Sequence, residues 1–305
     1  MAPSLAFVFP GQGSQRVGML DCFRGDTTLE RLLPAAERLS GLALGDIAAE
    51  GPESALADTR AAQPLLFLAD WLWASRLDSA GIAPSIVAGH SLGEFAALAY
   101  AGVFSVEDGL ELVIARSRIM AEVASATPGT MAAVIGMDRE TIAAALDGAS
   151  GVWVANDNAP GQVVLSGTHA GIEWATGALS EAGARRIVPL SVAGPFHSPL
   201  MTPAGETFTE VLAGISFGDA RIPVVQNTAP EPTRDASAIK QRLQSQIVSP
   251  VRWTETMDAL VAEGISVVVE AGPGSVLTGL ARRRDGLTPL AVEADGIDRV
   301  REVAA

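Results

Sequence analysis

Apolar residues occur along this chain in two kinds of run. Short stretches that are apolar at nearly every position, LAFVF (5–9), SIVAG (85–89), IPVVQN (222–227), ISVVVEAG (265–272) and LTPLAV (287–292), are separated by longer stretches with apolar residues at helical spacing. Uninterrupted apolar strands alternating with helices predict a mostly parallel sheet covered on both faces, and so an α/β domain. Residues 127–191 read differently. Strand-like TMAAVIG, helix-like DRETIAAALDG, strand-like GVWVAND and GQVVLSG, helix-like THAGIEWATGALSEAG and strand-like ARRIVPLS give the order βαββαβ of a small ferredoxin-like subdomain. The expected organisation is a discontinuous large domain, residues 1–126 and 192–305, interrupted by a subdomain at 127–191, with a cleft where the two meet.

Composition narrows the class. The 305 residues are 48% hydrophobic and 18% charged, as in a globular protein, and the net charge of −14 argues against a nucleic-acid partner. Cys22 is the single cysteine, so no intrachain disulfide is available. The longest stretch free of Asp, Glu, Lys and Arg, residues 187–205, holds Pro189, Pro195, Pro199 and Pro203 and is not a membrane span. With Arg16 as the first basic residue and LAFVF too short for a signal-peptide core, a cytoplasmic protein is expected. Lys240 is the only lysine and lies in polar IKQRLQSQ, which leaves little room for Schiff-base chemistry. His90, His169, His197 and Cys22 have no metal-ligand spacing, so no metal is expected.

The stretch AGHSLGEFAAL (88–98) places Ser91 between Gly89 and Gly93, after an apolar strand and before a helix-forming run. Gly-x-Ser-x-Gly at such a junction lets the chain turn sharply and lift the hydroxyl above the sheet, as for a nucleophile; a helix-capping serine in a glycine-softened turn fits the pentapeptide equally well. GQGSQ (11–15) follows the first strand, but Arg16 stands where a dinucleotide loop needs its third glycine. Its backbone N–H groups, with that of Leu92, can instead form an oxyanion hole. Among the histidines, His197 in SVAGPFHSPLM is the best base, because the chain returns to the large domain there; a hydrogen-bonded structural histidine is the alternative.

Arg116 lies in SVEDGLELVIARSRIMAEV, a helix capped by Ser105, and is flanked by Leu112, Val113, Ile119 and Met120 at helical spacing. A guanidinium at an apolar face stays charged and needs an anionic partner. Glu94 or Glu270 could supply it internally; a substrate carboxylate could supply it through two parallel hydrogen bonds.

Taken together, FPGQGSQRVGM, GHSLGEFAAL, the arginine 25 residues after the serine, NDNAPGQVVLSG, GPFHSPLM, QIVSPVRW and EAGPGSVLTGL resemble the malonyl-CoA:acyl carrier protein transacylase family nearly end to end. The resemblance implies an α/β-hydrolase-like large domain and ping-pong transfer of malonyl from malonyl-CoA to the phosphopantetheine thiol of a holo acyl carrier protein. No cofactor is implied, since the thioesters are substrates, and a monomer is expected. It also implies a role for each site residue: Ser91 nucleophile, His197 base, Gln246 beside His197 in place of a triad acid, Gln12 and Leu92 oxyanion amides, Arg116 the malonyl clamp, and Phe196, Met120 and Asn158 lining the cleft. Phe196 resembles the bulky residue of malonyl-selective members, which argues against methylmalonyl. The alternative reading is a serine hydrolase or thioesterase using the same elbow. Since carriers of this family are acidic, docking is expected at the basic clusters Arg185–Arg186 or Arg282–Arg284.

Overall fold

The computed structural model describes residues 4–304, folded around two five-stranded sheets. In the first, β1 (Leu5–Phe9) and β2 (Ile86–Gly89) lie at the centre, with β7 (Val224–Val225), β9 (Val267–Glu270) and β10 (Thr288–Ala291) completing the order β10-β9-β1-β2-β7. All four pairings are parallel. Alternate side chains fill two separate cores: Phe7, Phe9, Val87 and Val269 face one, Ala6, Val8, Ala88 and Val268 the other. A sheet buried on both faces is why these strands read as unbroken apolar runs.

The second sheet contains β3 (Thr130–Ile135), β4 (Val152–Ala159), β5 (Gln162–Gly167) and β6 (Arg186–Pro189), all within residues 127–191, and β8 (Val251–Arg252). Helices Arg139–Ala145 and His169–Glu181 complete the βαββαβ order. Ala132, Val134, Val163 and Leu165 pack against Ile142, Ile172 and Leu179 in a core of their own.

Two features depart from the pattern expected of the sequence. The run IPVVQN yields only the two-residue β7, after which Gln226 and Asn227 turn polar side chains into the protein. From the far side of the chain, β8 joins the subdomain sheet in parallel with β4, Asn156 opposite Val251 and Asp157 opposite Arg252. The insertion therefore shares a strand with the domain it interrupts, and Trp253, completely buried, anchors that strand in the large domain. Among the described residues no helix is long and apolar enough to cross a membrane.

Candidate active site

The site is built where β2 ends. Ser91 has φ 50°, a left-handed conformation that a non-glycine residue adopts only when its surroundings hold it there. Both glycines of the pentapeptide are required by close approach. A Cβ on Gly89 would stand 2.0 Å from the Gly93 carbonyl carbon, and one on Gly93 would stand 2.0 Å from the Phe9 carbonyl oxygen. The turn thus seats the helix Gly93–Tyr100 directly on the end of β1. The loop after β1 lies against the elbow in the same way, since a Cβ on Gly11 would meet the His90 carbonyl at 2.5 Å.

His197 also has a positive φ, 55°, and is buried. Its Nδ1 faces the carbonyl oxygens of Gln246 and Ser249, each at 3.1 Å. Carbonyls only accept, so the ring proton sits on Nδ1, and Nε2 is left to accept from the Ser91 hydroxyl 2.8 Å away. Backbone carbonyls thus stand where a hydrolase triad has a carboxylate. Burial and the nearby Arg116 charge lower the His197 pKa to about 3, so the imidazole is neutral at physiological pH. Gln246 is beside His197 as expected, but its side chain serves another neighbour: Nε2 donates to the Ser91 carbonyl at 3.0 Å and Oε1 accepts from Arg116.

Arg116 is 1% exposed. Nη1 donates to Gln63 Oε1 at 2.8 Å, and Nη2 donates to Gln246 Oε1 at 3.0 Å and to Ser91 Oγ at 3.2 Å. Its ring neighbour is Phe95, 5.5 Å below the guanidinium. Neither carboxylate considered from the sequence pairs with it: Glu94 accepts from Gln226 and Asn227, and Glu270 from the Leu277 and Thr278 N–H groups. Burial lowers its pKa to about 10, partly offset by the more distant Glu94 charge, so it remains a cation at neutral pH. A buried cation held by two neutral amides beside the serine hydroxyl has the chemistry to receive an anion.

A cavity of about 310 Å³ opens over these groups, lined among others by Gln12, Leu92, Met120, Asn156 and Phe196. The N–H groups of Gln12 and Leu92 have no acceptor among the described residues, which suits them to receive an oxyanion. The Ser91 N–H does not, because it donates to Asn227 Oδ1.

Residues 6–289 match the family model of the acyl transferase domain. The chain belongs to the acyl transferase family. It is 40% identical over 284 residues to the malonyl CoA-acyl carrier protein transacylase of Bacillus subtilis, covering 92% of this chain and 90% of that one. Identity with the Synechocystis transacylase is 42% over 278 residues, 91% and 92% of the two chains. The Synechocystis crystal structure superposes with a TM-score of 0.89, covering 98% of this chain and 99% of that one at 39% identity. A malonyl-transacylase in complex with a type II polyketide synthase acyl-carrier protein gives the same TM-score and identity, over 95% and 96% of the chains.

In this acyltransferase the expected residues converge with one exception. Asn158 does not line the cavity: its Oδ1 bonds His90 Nε2 at 2.8 Å, while Asn156, two residues earlier, reaches the cavity. Irregularities in the β4–β5 pairing between Val154 and Asn156 and between Asp157 and Ala159 break the strand's alternation, which motif spacing does not reveal. Gln63 and Asn227 also escaped the sequence reading. Gln63 lies inside the apolar run of helix Thr59–Ser79, where a polar residue among apolar ones was the available signal, one that the equally buried Asp70 also gives.

Proposed function

We propose that this acyltransferase moves a malonyl group from malonyl-CoA to the phosphopantetheine thiol of a holo acyl carrier protein, as a cytoplasmic monomer, through a malonyl ester on Ser91. The observation that carries the reading is Arg116: a buried cation, held by Gln63 and Gln246, 3.2 Å from the nucleophilic oxygen. An acyl carbon bonded to Ser91 Oγ, with a methylene and then a carboxylate, reaches a guanidinium at that distance. The groove of about 970 Å³ that shares Ala57, Ser191 and Val192 with the cavity offers the long thioester arm a way in.

In the first half-reaction Ser91 Oγ attacks the thioester carbon while its proton passes to His197 Nε2. The N–H groups of Gln12 and Leu92 receive the oxyanion, the C–S bond breaks, and the CoA thiolate takes the proton from His197. In the second, the carrier thiol gives its proton to His197 and attacks the serine ester, and Ser91 recovers the proton. A thiolate leaves readily, so carbonyl oxygens suffice to hold the His197 tautomer. Burial is the main reason His197 is a weak base and the Arg116 charge the second, so a malonyl carboxylate on Arg116 offsets part of the depression and the substrate helps its own reaction.

The hydrolase alternative differs in what accepts the acyl group. Incubation with malonyl-CoA and holo carrier should place malonyl on the carrier thiol much faster than free malonate appears. Malonate released at one rate with or without carrier would establish the hydrolase instead.

A further inference from the structure

Ser91 is held from behind by a side chain that none of the acyl-transfer steps uses. Asn227 follows β7, the edge strand beside β2, and its amide fits across the elbow: Oδ1 accepts the Ser91 N–H at 2.7 Å, and Nδ2 donates to the Gly89 carbonyl at 2.6 Å. The ladder between β2 and β7 stops at Ala88 and Val225, so beyond it a side chain fills the place a backbone would occupy. That amide is itself oriented. Glu94 Oε2 accepts the Asn227 backbone N–H at 2.8 Å, and Glu94 Oε1 accepts from Gln226 Nε2 at 3.1 Å. Glu94 stands in the first turn of the helix that the elbow begins, so the contacts close a ring from Gly89 through Ser91 and Glu94 to Asn227. Glu94, Gln226 and Asn227 are each at most 1% exposed.

The ring needs one donor and one acceptor on a short side chain, which an amide supplies and an ionised carboxylate does not. It also turns the Ser91 N–H inward, leaving the Leu92 N–H as the elbow's donor toward the cavity. We infer that Asn227, oriented by Glu94, is the positioning residue that keeps Ser91 left-handed with its hydroxyl aligned on His197 Nε2. This inference rests on Ser91 being the acylated residue.

The test is single-turnover acylation by malonyl-CoA, followed as label on the Ser91 peptide from pH 5 to pH 8. Wild-type enzyme first establishes that Ser91 takes the label; if it takes none, the acyl-enzyme reading fails independently of Asn227. Asn227→Ala should slow labelling on the order of a hundredfold, the effect of a slightly misplaced nucleophile, with malonyl-CoA affinity held by Arg116. Asn227→Asp supplies a signature that general loosening would not. A carboxyl buried beside Glu94 titrates above its usual range; protonated, it donates to Gly89 and accepts from Ser91 as the amide does, whereas ionised it presents an acceptor to a carbonyl. Its rate relative to wild type should therefore approach unity toward pH 5 and fall roughly tenfold or more by pH 8. A pH-independent ratio for Asn227→Asp, or wild-type labelling by Asn227→Ala, would overturn the inference, and the Asp variant decides the matter if the Ala variant does not fold.

Discussion

Arg116 is a buried cation whose partners are all neutral, Gln63, Gln246 and the Ser91 hydroxyl, so a substrate carboxylate would be its first anionic partner, and selectivity should follow from that. Losing a bidentate pair in a poorly solvated site costs on the order of 2 to 5 kcal/mol, so Arg116→Ala should cut kcat/KM for malonyl-CoA by about two orders of magnitude or more. Acetyl-CoA should lose far less or gain, since it leaves no carboxylate unpaired, and removing the guanidinium relieves the part of the His197 depression that adds to burial. Equal losses for the two substrates would remove Arg116 from acyl recognition. His197 makes a second prediction, in stability. Its unfolded pKa near 6.5 exceeds the folded value of about 3, so the unfolded chain binds the extra proton, and stability present above pH 6.5 is lost as pH falls toward 3. Between pH 6.5 and pH 4 the wild-type Tm should drop more steeply than that of His197→Gln, and parallel curves would contradict the assignment. Ser91, His197 and Arg116 were legible in the sequence because glycine spacing, a proline-bounded loop and a charge on an apolar helix face each leave a local mark. Gln63, and the pairing of Arg116 with Gln246, a residue expected only beside His197, were not, since the two lie 53 and 130 residues from Arg116 along the chain.

At the level of elements, the turn from β2 into helix Gly93–Tyr100 works because two glycines let backbone touch backbone. Gly93→Ala should lower unfolding free energy by about 3 kcal/mol or more, since its methyl would overlap the Phe9 carbonyl and neither side can move without shifting β1. The control is Gly177→Ala on the exposed face of helix His169–Glu181, where a Cβ meets nothing within 4 Å; it should stabilise by roughly 0.4–1 kcal/mol. Urea unfolding of the two variants measures both, and a Gly93→Ala protein as stable as wild type would mean the elbow is looser than described. The strands of the parallel sheet were readable because burial on both faces leaves few polar positions, Glu270 at the end of β9 and the exposed Thr288 at the start of β10 being the exceptions. The shortness of β7, the bulged β4 and the capture of β8 were not, because they depend on pairing between distant segments rather than on local pattern.

On the scale of the whole molecule, the two lobes share β8, and the cavity takes lining from both: Met131, Asn156 and Val164 from the subdomain, Gln12, Ser91 and Phe196 from the large domain. Such a frame also sorts the basic clusters. Arg282–Arg284 precede β10 at the N-terminal end of the parallel sheet, opposite the end that carries Ser91, and Arg284 is paired with Asp258. Arg185 and Arg186 are exposed at the start of β6, whose other end leads into Leu190, Ser191 and Val192 on the cavity wall. Charge reversal at Arg185 and Arg186 should therefore raise the KM for an acidic carrier without changing acylation by malonyl-CoA, while reversal at Arg282 and Arg283 should leave both unchanged. The opposite pattern would move the docking face to the far end of the sheet.

The acyl-enzyme itself is open to one direct measurement. Enzyme incubated with malonyl-CoA in the absence of carrier, then quenched, digested and weighed by mass spectrometry, should carry a single malonyl group on the peptide containing GHSLGEF, and the Ser91→Ala protein should carry none. An unmodified GHSLGEF peptide in active wild-type enzyme, or label on any other residue, would contradict the account.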